Sequence, residues 1–89
     1  MEAYDPDTLS FIQRNSHIPD EVILQDIKDT EDEVRQAEAE ISHYENTPRE
    51  MYAYKYNQLK ASAHRLGIIE RKAFISKLQQ LLDYKKARV

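Results

Sequence analysis

The chain has 89 residues, no cysteine, one glycine and a formal charge of −3, with 33% of its residues charged and 40% apolar. That length accommodates one small domain, and the missing thiols exclude disulfides and thiolate metal sites. Glu, Lys, Gln, Ala and Leu are abundant while Val and Thr are scarce, so the expected fold class is all-α, without a sheet.

The N-terminal stretch is acidic with no apolar h-region, and the longest aliphatic run is Val22-Ile23-Leu24. Neither a secretory leader nor a membrane span is expected, which points to a soluble, cytoplasmic protein with no membrane partner. Asp5-Pro6 reads as a helix start, with Asp as N-cap and Pro at the first helical position, where its missing N–H costs nothing. A short helix over residues 6–14 follows, carrying Leu9, Phe11 and Ile12 and ended by Asn15-Ser16. Pro19-Asp20-Glu21 opens a second helix, predicted to run over 19–45 because no Gly or Pro interrupts it. Its apolar seam is Ile23, Ile27, Val34, Ala37, Ile41 and Tyr44, with Thr30 filling one step. Thr30-Glu31-Asp32-Glu33 could act as a capping box and restart the helix; continuity is the preferred reading.

Asn46-Thr47-Pro48-Arg49-Glu50 is the strongest punctuation, a capping box of Thr47 and Glu50 with Pro at the first helical position. It predicts a tight turn into a long third helix over 48–86, bent or broken at Gly67 if that residue acts as a C-cap. One face carries Tyr52, Tyr56, Leu59, Ala63 and Leu66, and further on come Phe74, Ile75, Leu78, Leu81 and Leu82.

Charge is segregated along the chain. Residues 1–46 hold thirteen Asp and Glu against three Lys and Arg, and residues 47–89 hold ten Lys and Arg against three Asp and Glu. A hairpin closed at Asn46-Thr47 would pair residues whose numbers add up to about 93, setting Val34 against Leu59, Ala37 against Tyr56 and Ile41 against Tyr52. Glu38 then faces Lys55 and Glu33 faces Lys60, so charge selects the register while burial holds it. On this register the second helix runs out near Phe74. The stripe Phe74, Ile75, Leu78, Leu81 and Leu82 is left to be covered by the short first helix, by a second copy or by a protein partner, and is the expected site of self-association into a dimer.

Candidate chemistry is sparse. Glu40 and His43 have the i, i+3 spacing of bundle metal ligands, but the sequence lacks the second such pair, so they read as a solvent-facing pair and no metal or cofactor is expected. No Gly-rich phosphate loop, nucleophile elbow or Cys nucleophile occurs, so no catalytic residue is assigned and no enzymatic activity is expected. Tyr54, Lys55, Lys60, Arg65, Arg71 and Lys72 form an aromatic and basic series that could stack on bases and neutralise phosphates. The basic tail Lys85-Lys86-Ala87-Arg88 reads as a solvated helix end. The expected function is a helical protein–protein interaction module, an adaptor, chaperone, inhibitor or assembly component that self-associates. Nucleic-acid binding through the basic half is the alternative.

Overall fold

The computed structural model describes residues 4–87 and holds three helices, α1 (Pro6–Asn15), α2 (Asp20–Glu45) and α3 (Tyr54–Ala87). Met1–Ala3, Arg88 of the basic tail and Val89 lie outside the described residues. Asp5 caps α1, its carboxylate accepting from the Thr8 backbone N–H at 3.4 Å with Pro6 in the first turn. Asp20 and Glu21 stand at the start of α2, where the helix dipole favours negative charge. α2 runs through Thr30 without a break, and the Thr30 hydroxyl donates to the Asp26 carbonyl at 2.7 Å instead of capping a new helix start.

The two long helices form an antiparallel hairpin. Ile23, Ile27, Thr30, Val34, Ala37 and Ile41 are the buried face of α2, as their three- and four-residue spacing requires. The register on α3 differs from the expected one. Ion pairs link Glu33 to Arg71 at 2.8 Å, Glu40 to His64 at 2.9 Å and Asp20 to Lys85 at 2.6 Å, so facing residues add up to about 104–105. The pairs Glu38/Lys55 and Glu33/Lys60 are replaced by these, and α3 is displaced by about three turns relative to the expected pairing.

The cause lies in the connection. Residues 46–53 do not form one tight turn but a string of turns, with the Met51 N–H donating to the Pro48 carbonyl and the Tyr54 N–H to the Met51 carbonyl. The Thr47 hydroxyl accepts from the Asn57 side-chain amide at 2.7 Å, so the capping box with Glu50 does not form and α3 starts at Tyr54 rather than Pro48. The longer link lets the leucine block of α3 slide back against α2. Ile23, Ile27, Leu78, Leu81 and Leu82 join Ile12 of α1 in one cluster, with Ile12, Ile23 and Leu81 fully buried. At about 1.5–3 kcal/mol for each such side chain, uniting the aliphatic residues outweighs the Tyr and Ala contacts of the expected register.

α3 is unbroken through Gly67. A Cβ there would meet the Arg71 guanidinium at 2.7 Å. Gly67 thus opens a path for the Arg71 side chain to lie along the helix while its Nε–H donates to Glu33.

α1 covers the distal part of α3. Phe11 meets Phe74 edge to face at 6.2 Å, Lys77 stands over the Phe11 ring at 6.0 Å, and the Lys85 ammonium binds both the Ile18 carbonyl and the Asp20 carboxylate. The molecule measures 59 × 25 × 19 Å with a radius of gyration of 17.6 Å, against about 12 Å for a compact domain of this length. Such a rod has one helical layer on each side of its seam, so whatever α2 and α1 leave uncovered on α3 meets water.

Candidate protein-interaction surface

The uncovered part of α3 is its outer face over the half nearest the turn. Ala61 and Ile68 point toward α2, with Ala61 buried and Ile68 half-buried. The opposite side carries Tyr56, Leu59, Ala63, Leu66 and Ile69, spaced by three and four so that they form one stripe, and Tyr52 precedes it in the turn. Tyr52 is fully exposed, and Tyr56, Leu59, Leu66 and Ile69 are 60%, 71%, 58% and 65% exposed. Along the helix, from Tyr56 to Ile69, the stripe is about 20 Å long at 1.5 Å per residue.

Its electrostatics are one-sided. Lys55 and Lys60 flank the apolar residues, and no Asp or Glu occurs between Met51 and Ile69; Glu70 is the first acid beyond it. Lys60 stands over the Tyr56 ring at 5.4 Å. Hydrogen bonding to the Tyr56 side chain holds its ammonium above the usual lysine range, with the charges of Tyr56, Tyr44 and Glu40 acting in the same direction.

The spacing of Tyr52, Tyr56, Leu59, Ala63 and Leu66 is visible in the sequence, but these residues face solvent instead of packing on α2. Ile69 escapes that reading altogether, because it stands one residue off the strict seam. The stripe expected to mediate self-association has the opposite fate. Leu78, Leu81 and Leu82 are buried within the chain, Ile75 is partly buried against the same cluster, and Phe74 keeps one edge exposed beside Phe11. Of the expected coverings, α1 supplies the one seen.

The basic series is dispersed. Arg65 pairs with Glu45 and Arg71 with Glu33, while the Tyr54 hydroxyl accepts from Gln58 at 2.6 Å. Lys72 lines a groove with Glu31, Val34, Arg35 and Glu38, and only Lys55 and Lys60 accompany the exposed stripe.

Glu40 and His43 do not act together. Glu40 reaches across to His64, whose ring stacks on Tyr44 at 5.8 Å and 13°, while the exposed His43 meets the Tyr44 ring at 5.6 Å. This cluster ties the two long helices together near the turn. Beside it lies a shallow cleft of about 300 Å³ lined by Tyr44, Glu45, Tyr54, Gln58, Ala61, Ser62 and Arg65. Among the described residues, no group of three or more His, Cys, Asp or Glu side chains is placed to hold a metal ion, and no helix is long and apolar enough to cross a membrane. Comparison with protein-family models, with curated proteins and with solved structures finds no match for this chain.

Proposed function

We propose that this protein is a protein–protein interaction module, an adaptor, chaperone, inhibitor or assembly component, that presents the outer face of α3 to its partner. The observation that carries this reading is the continuous exposed stripe from Tyr56 to Ile69. Single exposed apolar residues are ordinary on protein surfaces, but a contiguous helical stripe of them favours a partner that removes it from water. At about 25 cal/mol per Å² of apolar surface, covering a tyrosine, two leucines and an isoleucine provides several kcal/mol before ordering costs. A helix laid along a helix is the geometry that suits such a stripe.

Nucleic-acid binding is supported less. Arg65 and Arg71 are engaged by acids and Lys72 lies among acidic side chains, so no continuous basic track accompanies Tyr54.

The test replaces Leu59 and Leu66 together by Ser. Both side chains are exposed, so the variant is expected to keep wild-type circular dichroism and thermal midpoint at high dilution. Proteins captured by the tagged wild-type chain from its host, a further copy of the chain included, should be lost with the variant. Undiminished capture by the variant, or absence of any stripe-dependent association of the wild-type chain, overturns the proposal.

A further inference from the structure

Resting on that reading, we infer that the occupant of the stripe is a second copy of this chain, its α3 running antiparallel, with Lys60 of each copy beside Glu70 of the other. The charges on the stripe discriminate among the ways two copies can meet. A parallel pairing sets Glu70 against its own equivalent and Lys55 beside Lys60, like charge against like in both places. An antiparallel pairing centred on Leu59 and Ala63 covers the apolar residues but brings the two Lys60 ammonium groups together near the symmetry axis.

Moving that pairing by one seven-residue repeat removes both conflicts. Facing residues then add up to about 129. Ala63 meets Leu66 of the second copy and Tyr56 meets Ala73, so small residues face large ones on either side of the step where Leu59 meets Glu70, and twofold symmetry repeats each contact. Leu59 lies along the aliphatic stem of Glu70, whose carboxylate reaches Lys60. Glu70 is exposed and forms no ion pair among the described residues, and it is the one acid of α3 between Met51 and Gln80. Phe74, 40% exposed, comes beside the aliphatic stem of Lys55 of the second copy. The register thus covers Tyr56, Leu59 and Leu66 and at the same time gives the unpaired Glu70 a cation, which is the charge complementarity that favours a second copy.

The experiment measures molar mass of the full chain by light scattering after size exclusion over a concentration series, together with zero-length carbodiimide coupling read by peptide mass spectrometry. The expected result is a species of twice the 10.5 kDa chain mass, lost in the Leu59→Ser/Leu66→Ser variant. An amide joining Lys60 to Glu70 is also expected; within one helix these residues lie about 15 Å apart, too far to couple directly. Lys60→Glu and Glu70→Lys should each weaken the dimer about tenfold, and the double exchange should recover most of that loss. A chain that stays monomeric overturns the inference, as does a dimer that lacks the Lys60–Glu70 link and ignores the charge exchange. If such a monomer still captures another protein through Leu59 and Leu66, the interaction surface stands and only its occupant is wrong. A dimer indifferent to Leu59→Ser/Leu66→Ser overturns the inference, and if no other protein is captured through Leu59 and Leu66 the interaction surface falls with it.

Discussion

Truncating Leu81 and Leu59 to alanine, one at a time, distinguishes the observed pairing of α2 with α3 from the one a tight turn at Asn46-Thr47 would impose. Leu81 is fully buried between Ile12 and Ile23, whereas Leu59 is 71% exposed. Removing a buried leucine side chain costs about 2–5 kcal/mol, the range reflecting how far the cavity collapses. For a domain of this size each kcal/mol shifts the thermal midpoint by about 4–8 °C, so Leu81→Ala should lower it by about 10 °C or more, or unfold the chain. An exposed substitution stays within about 0.5 kcal/mol, so Leu59→Ala should move it by only about 2–4 °C. The measurement is thermal unfolding by circular dichroism at a dilution where copies are apart, so that association does not mask the difference. If Leu59→Ala costs as much as Leu81→Ala, Leu59 packs against α2 and the register described here is wrong.

In a double-mutant cycle Glu33 and Arg71 should show a coupling of about 0.2–1 kcal/mol in urea unfolding, and Glu38 and Lys55 none; the reverse pattern would restore the shorter turn. Gly67→Ala should gain less than the roughly 1 kcal/mol that alanine offers in a helix, because the new methyl group displaces the Arg71 guanidinium; in an Arg71→Ala background the full gain should return. Asp5 bonds the Thr8 side chain and backbone N–H, and these contacts hold its carboxyl below the ordinary 3.8. Its contribution to α1 is present above that ordinary value and fades as pH falls through the lowered folded-state value, so the wild-type midpoint should exceed that of Asp5→Ala at pH 7 and converge with it in strong acid.

The residues that declare helices do so locally, which is why the all-α class, the capping role of Asp5 and the seam of α2 are legible in the chain, whereas the passage of α3 through Gly67 is not, since a glycine there serves equally as a C-cap. Register could not be read the same way. Thr47 and Glu50 carry the letters of a capping box, but the Thr47 hydroxyl is taken by Asn57, ten residues on, and no local rule anticipates that bond. A tight turn at Asn46-Thr47 dictates every pairing on α3 and puts Tyr52, Tyr56, Leu59 and Leu66 in the interior. The spacing of those residues was correct; which neighbour they met depended on a comparison of two global packings, one joining the leucines of α3 to Ile12, Ile23 and Ile27, the other stranding them. The same dependence decides which stripe faces water: the residues from Phe74 to Leu82 are largely covered within the chain, and those from Tyr52 to Ile69 are exposed.

The large fully buried side chains Ile12, Ile23 and Leu81 lie at the end of the rod where α1 docks, whereas near the turn α2 and α3 are joined by Ile41, by the small Ala37 and Ala61 and by solvent-accessible ion pairs. Cooperative unfolding energy is therefore graded along the long axis, and amide hydrogen exchange should slow progressively from Ala61 toward Leu81. The outer stripe occupies the half that opens most readily. A partner seated there would act as a splint, suppressing local opening around Ala61 and His64 far more than around Leu81, so that binding is recorded in the protection pattern of residues it never touches.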